Sequence, residues 1–465
     1  MEQTKHESGW ADLLAAGRLP RFALICLGVW MNAADSLVTA TIMPSVGADL
    51  GGYAFFGWAV AGFMVGGILA SASAGRLSEM FGLRAATSLA GLLFALGCVL
   101  SAAAPSIDVF LLGRLIQGVG SGWISGFAMV AIAWLFPERH LARVFASVSA
   151  VWGIATVLGP LFGGVFAQAG NWRMVFWVFA AQALLFAVAS PWLLQGRETS
   201  RSANATGIPW LQLALVGLSV GAVALADVIA VPEIALALVV AGLGGLVLAL
   251  RIDAKARLRL LPHRAGDLRS VCGSAYLALF ALTAASMGLS VYGPAILQQL
   301  HGLSPLWAGY VVGVEALAWT LAAFLVADAR GDEERRWIRC GAVCVLAGIV
   351  GLMLVMRAAP LGWIILAAAV MGAGFGFSSS LTNRRVMAAL SDEDRAIGSS
   401  ALIAVRQTGG ATGAAIAGAT ANLVGFNAGL TDATASAIAV WVFATALPLG
   451  LAGVWASWRL TGSAR

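Results

Sequence analysis

The chain has 465 residues, 60% of them hydrophobic and only 11% charged, against roughly 45–50% and about 25% in an ordinary soluble domain. So little polar surface excludes a single soluble globule, a disordered chain and, despite the net charge of +6, a nucleic-acid binder. A polytopic membrane protein remains, and 56 glycines suit close helix packing in lipid.

In chain order, a polar stretch 1–21 precedes the first apolar run, which is too long for a cleavable signal peptide. Runs of about 20 apolar residues, enough to cross a bilayer, follow at 22–43, 53–75, 85–104, 109–136, 144–168, 174–194, 210–230, 233–250, 270–296, 305–327, 340–356, 361–381, 397–424 and 434–458. This predicts fourteen transmembrane helices. If the N-terminus is cytoplasmic, 24 of the 28 basic residues fall in cytoplasmic segments. Arg173 and Arg357 alone fall in outer loops, and Arg114 and Arg406 fall inside spans. The basic balance is therefore an orientation signal, and both termini are expected in the cytoplasm of a cell bounded by a bacterial inner membrane. Trp10, Trp172, Trp192, Trp210, Trp337 and Trp363 stand near the expected membrane borders, as an aromatic belt would.

Two stretches match at a constant offset of 254 residues. Gly118, Gly120 and Gly122 correspond to Gly372, Gly374 and Gly376; Val151, Gly159 and Gly164 correspond to Val405, Gly413 and Gly418. Helices 1–6 thus read as duplicated in helices 9–14, with helices 7 and 8 inserted. Parallel six-helix repeats are a transporter architecture, with a substrate site between the halves. The expected organisation is a tail at 1–21, a first bundle at 22–194, linkers and inserted helices at 195–269, a second bundle at 270–458 and a tail at 459–465. The inserted pair reads as lipid-facing padding, and Asp328 to Arg339 as a solvated charge run.

Chemistry other than transport finds little support. The five cysteines lie in apolar segments and are odd in number, so no disulfide framework is expected. Cys340 and Cys344 share a helix face without ligands to complete a metal site, and they read as packing residues. The four histidines fall in loops or tails, and no G-x-x-x-x-G-K-[ST] sequence is present. Neither an enzyme, a metal site nor a cofactor is expected.

Several motifs carry a resemblance. Gly75 to Arg84 (GRLSEMFGLR) resembles the major facilitator loop signature, with Glu79 for the usual Asp and Met80 for a usual basic residue. Leu112 to Gly118 (LGRLIQG) is similar to that family's second motif. Gly153 and Gly159-Pro160-Leu161-Phe162-Gly163-Gly164 on helix 5 resemble the motif associated with antiporters, and Asp35 to Pro44 (DSLVTATIMP) the first-helix run of drug exporters. Tyr292 to Gly309 and Arg406 to Gly410 look like second-half signatures of the same branch. The chain therefore resembles the 14-helix drug:proton antiporters of the major facilitator superfamily. The resemblance implies an all-α membrane protein with two six-helix bundles plus two inserted helices. Its partners would be protons, a small-molecule substrate and the bilayer, and it would act as a monomer.

Charge at mid-bilayer costs at least ~2.5–3.5 kcal/mol on insertion scales, so the intramembrane ions need reasons. With a rise of about 1.5 Å per residue, Asp35 and Arg114 fall at adjacent levels in the first bundle, and Glu315 and Arg406 both fall near mid-membrane. Asp35 reads either as a proton-coupling site or as half of a fixed ion pair. Arg114 reads as a switch or structural partner, in the same class as Glu79 and Arg84. Glu315 reads as a cation-recognition or second proton site, or as the ion-pair partner of Arg406, itself a switch or packing residue. Asp227, at the outer end of helix 7, reads as reaching the membrane interface. Gly159-Pro160 predicts a kink in helix 5, with Gly163 and Gly164 allowing close contact; pure packing is the alternative. Glu315, Trp319, Phe280, Met287 and Tyr292 are candidates to line a substrate cavity. Proton-coupled efflux of lipophilic or cationic compounds is the function expected. A metabolite carrier (siderophore, sugar or organic acid) and a non-transporting receptor or scaffold are the alternatives.

Overall fold

The computed structural model describes residues 18–136, 138–194, 207–229, 231–391 and 394–462. The side chains of a few helical residues, Glu79 among them, lie outside the description, as do Trp10 and residues 195–206 of the linker. Fourteen long helices are present among the described residues. They are α1 (Arg18–Leu50), α2 (Phe56–Phe81), α3 (Leu83–Ala102), α4 (Ile107–Leu135), α5 (Glu138–Gln168), α6 (Arg173–Leu193) and α7 (Trp210–Leu225). The second set is α8 (Pro232–Asp253), α9 (Val271–His301), α10 (Pro305–Leu325), α11 (Gly331–Val355), α12 (Leu361–Ala389), α13 (Arg395–Leu423) and α14 (Asp432–Gly462). Their number and order match the sequence reading, although α1 and α5 run well past the apolar cores read from sequence.

Twelve of the fourteen are long and apolar enough to cross a membrane. The exceptions have separate causes. α7 is short at 16 residues. α13 is long, but rich in Gly, Ser and Thr; it is enclosed by α9, α2 and α7 and does not need an apolar surface all round. Local chemistry sets several ends. Ser270 caps α9 by accepting from the Gly273 N–H, and Gly302 ends it at φ 62°. Gly82, the last glycine of the loop signature, turns the chain from α2 into α3 at φ 77°, a backbone region that L side chains rarely adopt.

Glycines in matched places hold each half together. α4 packs on α2 where Gly118 faces the Phe63 carbonyl and Gly122 faces that of Gly67. α12 packs on α10 where Gly372 faces the Glu315 carbonyl and Gly376 that of Trp319. The duplication read from sequence is thus a duplication of contacts, with Phe63 and Gly67 standing where Glu315 and Trp319 stand in the second half.

The two faces of the bundle need names. The terminal face carries the beginning of α1 and the end of α14; the far face carries the α1–α2 turn. The halves meet along two seams that run from the far face to about the middle, α2 against α13 and α5 against α10. On the second seam Gly164 abuts Leu306, and Gly309 abuts Thr41 and Pro160. Gly153, nearer the terminal face on α5, has no atom within 4 Å of its would-be Cβ. The helix-5 glycines are therefore not alike: Gly159 and Gly163 accept Leu37 and Val38 of α1, Gly164 accepts the other half, and Gly153 accepts nothing. Pro160 sits inside a continuous α5.

Two sequence expectations are corrected. The inserted helices are not both padding. α7 packs on both α2 and α13 and so covers the seam between the halves; α8, behind it, is the least buried of the apolar helices. The segment after α10 is exposed at Asp328, Arg330, Asp332, Glu333 and Arg336, as a solvated charge run would be. It is tied down at Glu334, which receives Arg384 at 2.8 Å and lies 3.5 Å from Arg385, because the start of α11 lies against the end of α12. Trp172 is no belt residue: it is buried edge-on against Phe110 and Phe176, and its indole N–H reaches Asp49. Trp192, Trp210 and Trp363 are exposed, as a belt requires.

A Cβ at Gly118 would run into backbone, which cannot move aside as a side-chain end can. Gly118→Ala is expected to cost about 1–3 kcal/mol, read as a lowered melting temperature of the detergent-solubilised protein. Gly244→Ala, on α8 with open space around it, is expected to leave it unchanged.

Candidate functional site

The first half holds a dry polar cluster. Asp35 of α1 is fully buried. Its Oδ2 accepts from Arg114 Nη1 at 2.8 Å and its Oδ1 from Gln117 Nε2 at 2.7 Å. Arg114 Nη1 also donates to Gln117 Oε1 at 2.7 Å, and Arg114 Nε to the Ala59 carbonyl at 3.2 Å. Gln117 Nε2 lies 3.2 Å from Cys98 Sγ, and the Arg114 guanidinium lies 4.5 Å from the Phe63 ring centroid. Helices α1, α2, α3 and α4 all contribute. The adjacency of Asp35 and Arg114 expected from depth is observed as a bonded ion pair.

Gln117 was not singled out from sequence, although it lies inside the quoted LGRLIQG run. It stands three residues after Arg114, hence on the same helix face. That spacing was the available signal.

The cluster has a definite chemical capability. A buried pair is stable only while both charges stand, and removing one partner typically costs about 3–5 kcal/mol. Protonation of Asp35 has the same consequence as removing its charge. It leaves a buried guanidinium with Gln117, a carbonyl and a ring face, none of them anionic.

The second half is built differently, and the expected Glu315–Arg406 pair is not formed. Arg406 of α13 stacks its guanidinium 4.9 Å from the Trp319 ring centroid, and Trp319 is itself stacked on Phe375 at 5.0 Å. Glu315, one turn before Trp319 on α10, is half-buried and has no ion-pair partner among the described residues. The two residues share a depth, but Trp319 occupies the place beside the guanidinium. The acid that stands at the place of Phe63 is therefore left without a counter-ion.

Other candidates scatter. Met287 lies beside Met64 around Gly410, where α9, α2 and α13 converge, and Phe280 backs onto Gly409. Tyr292 is fully buried at the far face, stacked on Phe56 at 6.1 Å and edge-on to Phe426 at 5.3 Å. It belongs to the closure between the halves and not to an open cavity. Arg84 is exposed on the terminal face, where its Nε donates to the Pro191 carbonyl at 3.0 Å and ties α3 to α6.

Asp227 contradicts its expected place at the interface. It is fully buried, because the α7–α8 turn folds inward onto the α2–α13 seam. The apolar character of the hairpin gave no sign of that direction.

The comparisons with known proteins bear on the fold and the family. The Major Facilitator Superfamily model matches residues 25–414. A probable multidrug-efflux transporter of Mycobacterium tuberculosis is 30% identical over 443 residues, covering 91% of this chain and 92% of that protein. Multidrug resistance protein 3 of Bacillus subtilis is 35% identical over 155 residues, 33% of this chain and 30% of that one. Among solved structures, a peptide transporter of the POT type superposes with a TM-score of 0.68 at 16% identity, covering 96% of this chain and 95% of the other. A D-xylose–proton symporter does so with 0.64 at 18%, covering 93% and 97%. These two likenesses establish the fold. With two six-helix halves, an inserted hairpin and a family match over most of its length, the chain belongs to the Major Facilitator Superfamily.

Proposed function

We propose that the protein is a proton-coupled exporter of lipophilic and cationic compounds that works by alternating access. The observation that carries this reading is the asymmetry of the halves. The first holds an acid sealed with its base, Asp35 with Arg114 and Gln117. The second holds an acid with no counter-ion, Glu315, one turn from an aromatic wall of Trp319 and Phe375. The first arrangement suits a proton and the second suits a cation with apolar bulk, since a cation gains from both a carboxylate and ring faces. The near-full-length likeness to a probable multidrug-efflux transporter supports the direction and the substrate class.

In this reading the structure corresponds to a state closed at the far face, where Tyr53, Phe56, Tyr292 and Phe426 pack ring to ring across the halves. A compound enters from the terminal face and meets Glu315 and Trp319. Protonation of Asp35 from the opposite side unbalances Arg114 and returns the halves to this state after release. The distribution of basic residues supports a cytoplasmic terminal face in a bacterial inner membrane. The protein acts as a monomer, because each monomer contains both halves of the pathway.

Everted membrane vesicles with an acid interior test the reading. Wild-type protein is expected to release protons when a lipophilic cation is added, followed with a pH dye. Asp35→Asn at normal protein level is expected to abolish that release; a response equal to wild type would mean that the proton site is elsewhere. Arg114→Gln alone is expected to lose about 3–5 kcal/mol of folded stability, seen as low yield. Asp35→Asn with Arg114→Gln is expected to recover yield without recovering coupling. A double variant that recovers both would reduce the pair to a structural role.

Glu315→Gln separates recognition from coupling. Loss of one charge-assisted contact, ~1.5–3 kcal/mol, is expected to weaken binding of monovalent cations about 10- to 100-fold and to leave neutral compounds unaffected. Equal loss for both classes would remove Glu315 from cation recognition.

A further inference from the structure

The two seams between the halves are related by the internal repeat, and they differ in what stands beside their matched glycines. On the α5–α10 seam Gly309 meets Pro160 and Thr41. On the α2–α13 seam the corresponding Gly57 meets the corresponding Ala414, but the third neighbour is Asp227, from the turn of the inserted hairpin. Both Gly57 and Gly418 lack the Cβ that would strike this carboxyl group: atoms built there would lie 2.6 Å and 2.5 Å from it. The other seam has the same two glycines, Gly309 and Gly164, set against Thr41, Pro160 and Leu306; here the space beside the pair holds an acid.

Asp227 is fully enclosed. Its Oδ1 accepts from Asn422 Nδ2 at 2.7 Å. The same amide reaches the Asp227 carbonyl at 2.5 Å and, across the seam, the Ala54 carbonyl at 2.7 Å. Asn422 belongs to the second half and Ala54 to the first, so hairpin and both halves are joined at one amide. Among the described residues Asp227 Oδ2, which faces Gly57, makes no hydrogen bond of normal geometry, and neither does the buried Tyr292 hydroxyl.

Among the described residues no cation faces the acid. From α2 the acid faces Gly57 and the Trp58 N–H, from α13 Gly418 and Asn422, and from α9 Tyr292. Tyr292 is the one titratable side chain among them, and Glu233 on α8 is exposed. The amino end of α2 favours negative charge, but a wholly buried carboxylate without a counter-ion pays a larger desolvation cost. The Asn422 and Trp58 N–H groups favour the carboxylate, and burial without a cation favours the neutral acid more strongly.

We propose that Asp227 is a proton-operated latch by which the inserted hairpin holds the far-face gate closed: protonated, it seats between Gly57 and Gly418, and on losing its proton it leaves and frees α2 from α13. The proton dissociates from the Oδ2 oxygen and passes to water as the socket opens. Asp227 is a positioning residue and touches no substrate. The proposal rests on the alternating-access reading above, though not on Asp35 as its coupling site.

The test reads the gate and not transport. Spin labels are placed at Ala48→Cys and Asn427→Cys, exposed positions of the first and second halves at the far face, in a protein whose five natural cysteines are replaced by serine. Distances are measured in lipid nanodiscs across pH. The unsubstituted latch is expected to lengthen the distance as pH rises, by about 5 Å or more, the scale of a one-turn slip between elements. Asp227→Asn keeps the shape and cannot ionise, and it is expected to hold the short distance at every pH. Gly418→Ala fills the socket and is expected to give the long distance even at low pH; if it fails to fold, the Asn variant still decides. An Asp227→Asn protein that opens with pH as its parent does would overturn the latch. If that opening is lost in Asp35→Asn instead, the coupling reading survives and the latch does not. A short distance in every variant at every pH would overturn both.

Discussion

A carboxylate deep in a helix bundle must be matched, and the match it finds decides what the surrounding helices can do. Asp35 is matched by a guanidinium and an amide, and Arg114 in turn also donates to Gln117 and the Ala59 carbonyl. Helices α1, α2 and α4 are joined by that one exchange of hydrogen bonds, and the contact of Gln117 with Cys98 adds α3. A buried charge in such a network leans on every other member, so loss of one is felt by all of them.

The second half repeats the helices without repeating that solution. Its glycines meet its carbonyls at the same places, but Glu315 stands where the first half has Phe63 and Trp319 where it has Gly67. Arg406 stacks on the tryptophan and leaves the acid free. Duplication preserved the packing and allowed the charges to diverge, which is how one architecture can present a sealed ion pair on one side and an uncompensated acid on the other.

Much of this was readable from residues alone. Spacing of apolar runs yields fourteen helices in the observed order, because the bilayer thickness sets their length. The 254-residue offset from Gly118 to Gly372 reveals the duplication, because close helix contact tolerates no side chain there. Depth counting places Asp35 beside Arg114. Depth counting also paired Glu315 with Arg406, and there it failed, since rise along a helix says nothing of which way a side chain points around it. Asp227 was out of reach for a related reason. An acid at the end of an apolar hairpin has two places to go, outward to the headgroups or inward to a glycine socket, and only the packing of α7 across the seam distinguishes them.

The glycine contacts also tie each half together along its length. Where Gly118 rests on the Phe63 carbonyl and Gly372 on that of Glu315, backbone lies against backbone, with no side chain between the helices. The pairs α2–α4 and α10–α12 are thus closed at matched heights in the two halves, and each joins residues near one face to residues near the other, across the thickness of the protein.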